Sequence, residues 1–304
     1  MFFLAGLMGM MILGGFSLLA DDGVDTTLDA AEPPKDEDLD EWSLPTETMS
    51  LPPSSNIGDI NWGSHLDDML SGLEGDDQIN GYAGDDMMSG GDGNDQLFGE
   101  SGDDHLSGGS GDDTLNGGAD NDTILGGADN DQLIGNMGND LVKGDHGNDS
   151  LTGGQGDDTL DGGAGNDSLH GNDGDDLIIA GHGNDVMFGG DGNDTLDGGD
   201  DSETDYVNGG DGDDDLIARA NDILSGGDGQ DAFIYAQGTH SEITDFQTGY
   251  DRVIIEYGDQ FDTEPKVSLM VQTPGHYDIY LNDAHVVTVL SEQNITADDI
   301  TARV

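Results

Sequence analysis

Between Gly63 and Asp197 an apolar residue recurs at every ninth position, from Leu70 through Ile79, Met88 and Leu97 to Leu196, and the intervening positions are almost all glycine or polar. Written in blocks of nine, the stretch reads GSHLDDMLS, GLEGDDQIN, GYAGDDMMS and so on to GGDGNDTLD, fifteen blocks without a slip. Position 1 is glycine except at Ala180. Position 4 is glycine except at Leu66, Asp120 and Asp129. Position 5 is Asp or Asn and position 6 is always Asp. The first six positions read as a turn, because glycine adopts left-handed backbone angles freely and Asp or Asn tolerates them next best. The last three read as a short strand with one inward side chain at position 8. A fixed short period of this kind predicts a stacked, solenoidal architecture.

After Asp197 the period loosens. GGDDSETDYVN (198–208) is long, with Glu203 where the aspartate is expected; GGDGDDDLI (209–217) restores the register with Asp214. ARANDILS (218–225) is one short, and GGDGQDAFI (226–234) restores it with Asp231. From Tyr235 the pattern changes to period-two alternation such as Val267, Leu269 and Val271, which predicts strands at 266–272, 276–281 and 285–290. These form an antiparallel cap over the last turn, while Ile57 to Trp62 packs over the first.

One inward side chain per nine residues is too little apolar burial to offset the ordering of the block. Moreover, aspartates stacked at a strand spacing of about 4.8 Å repel each other by on the order of 3 kcal/mol per neighbouring pair at an effective dielectric of ~20. A hard divalent cation reverses that sign. Ca²⁺ takes six to eight oxygens and suits a turn that offers carboxylate and carbonyl oxygens; Mg²⁺ is stricter in geometry, and transition metals prefer nitrogen or sulfur.

The blocks resemble the nonapeptide G-G-x-G-x-D-x-U-x of repeats-in-toxin (RTX) proteins. The resemblance implies an all-β fold, a parallel β-roll in which two blocks make one turn, with Ca²⁺ ions shared between blocks i and i+2. It carries the ligand role onto Asp68, Asp77, Asp86, Asp95, Asp104, Asp113, Asp122, Asp131, Asp140, Asp149, Asp158, Asp167, Asp176, Asp185 and Asp194, joined by Asp214 and Asp231. Ser64 and Leu66 depart from the pattern in the first block. ITDFQTGYDRVIIEY (243–257) resembles the segment that closes the roll of serralysin-type proteases, through Asp245, Phe246, Gly249, Asp251 and Arg252.

Composition narrows the partners. The formal charge is −61, from 67 acidic and six basic residues. That excludes nucleic acid, and an anionic membrane surface as an electrostatic target. Cysteine is absent, which excludes disulfides and thiolate metal sites. No His-Glu-x-x-His, Gly-x-Ser-x-Gly or phosphate-loop motif is present, so the chain reads as no enzyme. Residues 1–20, MFFLAGLMGMMILGGFSLLA, carry no charge and are long enough to cross a bilayer. They read as a transmembrane helix that anchors the chain, with a cleaved signal as rival. Residues 21–62 are acidic and proline-bearing and read as a disordered tether.

Four segments are therefore expected: 1–20 anchor or signal, 21–62 linker, 63–234 calcium-binding β-roll, and 235–304 C-terminal β cap with a secretion signal. The functional expectation is a β-roll that folds on meeting extracellular Ca²⁺ at the surface of a Gram-negative-type cell, in a structural or adhesive role. Export runs through type I secretion machinery. The alternative is a non-catalytic carrier for an exported enzyme or toxin.

Overall fold

The computed structural model describes residues 58, 60–199, 202–236, 240–256, 266–282, 284–291 and 294–303. Each of the first fourteen blocks supplies a six-residue strand that begins at position 7 and runs into position 3 of the next block, as in Gln78–Ala83 and Met87–Asp92, and the fifteenth supplies the shorter Thr195–Asp197. Successive strands go to opposite sheets, so a strand pairs with the one eighteen residues on. Gln78 lies opposite Gln96, and Met87 opposite His105. All pairings through the repeats are parallel. The result is two facing sheets of 14 and 12 strands among the described residues, the parallel β-roll that the nine-residue period implies.

The core is a single file on each sheet. Position 8 points inward in every block, and residues such as Leu97, Leu115, Leu133 and Leu151 are fully buried. Position 1 also points inward, as buried Ala180 shows. Positions 7 and 9 point outward. On the 14-stranded sheet these two outward columns, from Gln78 and Asn80 to Ile223 and Ser225, contain no Asp, Glu, Lys or Arg. The corresponding columns of the 12-stranded sheet carry Lys143, Asp161, Asp197 and Asp215. There Lys143 pairs with Asp161 at 2.8 Å and Arg219 with Asp197 at 2.9 Å.

The turns need positive φ at positions 2 and 4. Gly91 and Gly93 show it at 124° and 131°. Asp120 and Asp129 take position 4 at φ 77°, which a short polar side chain tolerates. At position 2 the bulkier Leu73 and Tyr82 are held at 86° and 80°.

The 14-stranded sheet begins before Gly63, and both sheets end after Ile234. Ile60–Trp62 pairs with Gln78–Ala83 in the eighteen-residue register and forms half a turn. At the other end Arg252–Glu256 pairs with Ala232–Ala236, and Ile300–Arg303 pairs in turn with Arg252–Glu256. Ala284–Leu290 adds in parallel to Ser241–Ile243 and then carries two antiparallel strands, His276–Leu281 and Val267–Thr273. The expected antiparallel segment is thus an extension of the roll's own sheet.

The expectation of a transmembrane helix is corrected. Among the described residues no helix is long and apolar enough to cross a membrane, and the only helix is the three-residue 3₁₀ turn Ala297–Asp299. Residues 1–20, on which that expectation fell, lie outside the described residues, as do Pro33, Pro34, Pro45, Pro52, Pro53 and Trp42 of the tether.

Candidate metal centre

The position 6 aspartates form two columns, one along each edge where the chain turns between the sheets. Asp68, Asp86, Asp104, Asp122, Asp140, Asp158, Asp176, Asp194, Asp214 and Asp231 make the first. Asp77, Asp95, Asp113, Asp131, Asp149, Asp167 and Asp185 make the second. All are buried, with at most 5% exposure. Within each column the backbone N–H of one aspartate donates to Oδ1 of the next. Asp86 donates to Asp104 at 2.7 Å, and Asp131 to Asp149 at 2.8 Å.

The same bonds identify three residues that sequence spacing missed. The N–H of Asp185 donates to Oδ1 of Asp205, that of Asp205 to Asp222, and that of Asp231 to Asp251. Asp205 and Asp222 extend the second column, and Asp251 ends the first. Glu203, expected in the column, is exposed outside it. Counting back two residues from the apolar position finds the right ones: Asp205-Tyr206-Val207 and Asp222-Ile223-Leu224 repeat the D-x-U pattern. The two extra residues of the first block and the missing one of the second both fall before the aspartate, so counting forward from the start of the block slips.

Position 5 makes a second ladder in the opposite direction. The N–H of Asn148 donates back to Oδ1 of Asn130, and that of Asn130 back to Asp112, at 2.9 and 3.0 Å. Only an acceptor oxygen is required there, so Asn and Asp serve alike. Position 6 admits only Asp, so its second oxygen has a different task.

Along the columns that second oxygen is buried and has no hydrogen-bond partner. This holds for Oδ2 of Asp86, Asp95, Asp104, Asp113, Asp122, Asp131, Asp140, Asp149, Asp158, Asp167, Asp176, Asp194, Asp214 and Asp231. Position 1 glycine explains where these oxygens go. A Cβ added at Gly99 would fall 2.3 Å from Oδ2 of Asp104 and 2.5 Å from the carbonyl oxygen of Gly117. At Gly108 the corresponding distances to Asp113 and Gly126 are 2.3 and 2.7 Å. The absent side chain therefore lets the carboxylate oxygen and the carbonyl oxygen of the neighbouring turn come together against the glycine, where a Cβ would collide with both.

The ends are built differently. Oδ2 of Asp68 accepts from the N–H and hydroxyl of Ser64 at 2.6 and 2.9 Å. Oδ2 of Asp251 accepts from the N–H of Gln247 at 2.6 Å, and Oδ2 of Asp222 from the N–H of Arg219 at 2.7 Å. At these rungs a local donor, three or four residues back, takes the oxygen that is left over elsewhere.

Burial drives the electrostatics. It pushes the carboxyl of Asp122 up to about 8, helped by the charges of Asp140 and Asp104 and opposed by the N–H of Asp104. Asp113, Asp131, Asp158, Asp167, Asp176 and Asp214 are pushed up to about 7 by the same causes. Asp86, Asp104, Asp194 and Asp231 reach about 6. Buried oxygens this reluctant to carry charge alone fit a hard divalent cation, which would restore ionisation. No three His, Asp or Glu side chains converge on one point among the described residues. The donor set is instead a carboxylate oxygen with backbone carbonyls, the combination that Ca²⁺ accepts.

Comparison with known proteins agrees. Residues 62–97, 98–133, 134–169, 170–204 and 218–239, more than half of the chain, match the RTX calcium-binding nonapeptide repeat family (4 copies). No curated protein matches the chain.

Proposed function

The chain belongs to the RTX calcium-binding nonapeptide repeat family, and from that premise we propose that it is an exported protein whose roll folds when it meets extracellular calcium. The observation that carries this reading is the file of buried Oδ2 atoms without a protein partner, each beside the space left by a position 1 glycine. The residues that would hold Ca²⁺ are those expected from the repeat, Asp77 to Asp176 and Asp194 with Asp214 and Asp231, extended by Asp205. Asp68 would contribute through Oδ1, which alone lacks a partner there. When bound, the ion neutralises the carboxylates that the fold buries.

Affinity per site is on the order of 10⁻⁴–10⁻³ M, the range of extracellular modules. Many weak sites in one stack give a steep transition, because binding free energy is folding free energy. Such a chain stays unfolded where calcium is scarce and folds outside the cell. Export by type I machinery and a serralysin-like closing role for residues 243–257 belong to the same proposal. The role after folding is structural or adhesive. The two uncharged outward columns of the 14-stranded sheet support that role, since they offer a contact face on an otherwise polyanionic molecule.

Far-UV circular dichroism during titration with CaCl₂, with MgCl₂ as control, tests the proposal. A steep coil-to-β transition with Ca²⁺ alone is expected. A spectrum already rich in β structure in chelator at neutral pH would overturn it.

A further inference from the structure

The two aspartate columns are not equivalent. Each position 6 aspartate of the second column is served by a position 1 residue on the 12-stranded sheet. At Gly72, Gly90, Gly108, Gly126 and Gly144 an added Cβ would lie 2.2, 2.2, 2.3, 2.4 and 2.4 Å from Oδ2 of Asp77, Asp95, Asp113, Asp131 and Asp149. In the block of Asp185 the position 1 residue is Ala180 and the Cβ is real. Ala180 is fully buried, in register between Gly162 and Gly198. The Asp185 carboxylate keeps its column bond, Oδ1 accepting from the N–H of Asp167 at 2.7 Å. The methyl and a carboxylate oxygen cannot both take the places they have in the glycine blocks. The first column shows no such change, with glycine at position 1 from Gly63 to Gly226.

We propose that the Ala180 methyl closes the calcium position of the Asp185 block, so that the second column is interrupted there while the first runs through. The proposal rests on the calcium reading above and names which of its positions stays empty of metal. The chemistry is steric. A methyl group presents no lone pair and occupies the place beside the position 1 Cα where Oδ2 of the aspartate lies in the glycine blocks, so the carboxylate is turned away from the position it would need to hold the ion. Two rungs further along the second column the device recurs at Ala218, also fully buried, where Oδ2 of Asp222 already accepts from the N–H of Arg219. The chain thus marks metal-free rungs in two ways, by a methyl at position 1 and by a local N–H on Oδ2.

Native mass spectrometry of the full chain in excess CaCl₂ counts bound ions and tests this. Ala180→Gly is expected to hold one more Ca²⁺ than the wild type. Ala180→Ser keeps a Cβ and is expected to hold the wild-type number. Gly162→Ala is expected to hold one fewer. An unchanged count in Ala180→Gly, with calcium bound to the wild type, overturns the closure and leaves the calcium reading standing. Absence of calcium from all four proteins overturns that reading and the closure with it.

Discussion

The backbone N–H of Asp122 donates to Oδ1 of Asp140, 2.8 Å away and one full turn further along the roll. Asp140 therefore does two things at once. Its Oδ1 satisfies a buried amide of the preceding turn, and its buried Oδ2, which has no hydrogen-bond partner, is the oxygen left for an ion.

Two substitutions separate these tasks. Asp140→Asn keeps an acceptor for the Asp122 amide and loses the charge. Asp140→Ala loses both and leaves that amide buried without a partner, at a further cost of about 1–3 kcal/mol. Both are expected to raise the calcium concentration at the midpoint of folding, the alanine variant more. Equal midpoints in circular dichroism titrations would show that the Oδ1 bond contributes nothing.

The position 5 ladder uses only an oxygen acceptor, so charge there is incidental. Asn139→Asp is expected to bind the same number of Ca²⁺ ions and to fold at nearly the same calcium concentration. Asn139→Ala strands the Asp157 amide that now bonds to Asn139 at 3.1 Å, and should lose about 1 kcal/mol. Chemical denaturation in excess calcium would measure the difference.

Leu73 is half-exposed and held at φ 86°. A left-handed conformation costs a non-glycine residue roughly 1–2 kcal/mol, and the extra freedom of glycine in the unfolded chain returns about 0.5–1. Leu73→Gly is expected to raise the melting temperature in excess calcium slightly, by a few degrees at most. A lower melting temperature would mean that the leucine side chain packs usefully against the first turn.

Acid should substitute in part for calcium. The carboxyls of Asp86, Asp113 and Asp122 sit at about 6, about 7 and about 8 in the fold, against 3.8 ordinarily, so the folded chain binds more protons than the unfolded chain in between. That contribution is present in full below about pH 4 and is lost as the pH rises through about 6 to about 8. In chelator, β structure is expected near pH 4.5 and coil at pH 8, with calcium restoring β structure at pH 8. Circular dichroism in which the chelated chain gained β content as the pH rose would contradict this.

The period alone made most of the fold legible. Glycine at positions 1 and 4 and an apolar residue at position 8 dictate alternate strands, inward files and the eighteen-residue register seen between Gln78 and Gln96. The aspartate columns were legible for the same reason. Asp205, Asp222 and Asp251 were not, because two residues are added ahead of Asp205 and Asp251 and one is missing ahead of Asp222, which breaks a count made from the start of the block. The electrostatics also differ in emphasis. Sequence spacing suggests like-charge repulsion as the main burden. In the fold burial comes first for Asp122, Asp113 and their neighbours, and the backbone N–H from the adjacent turn offsets part of it. Nothing in the residue order reveals that bond, since it forms only when turns eighteen residues apart are stacked.

The alternation of strands between two sheets makes this chain a ruler graduated in eighteens. A duplication or deletion of two blocks leaves every downstream strand on its own sheet and the aspartates in their own columns. A change of one block exchanges the sheets for everything that follows, and would carry Lys143, Asp161 or Asp197 into the two columns that now bear no charge. The long block before Asp205 and the short one before Asp222 avoid that exchange by looping or shortening within a turn. Inheritance can therefore lengthen or shorten this molecule cheaply, provided that it does so by whole turns.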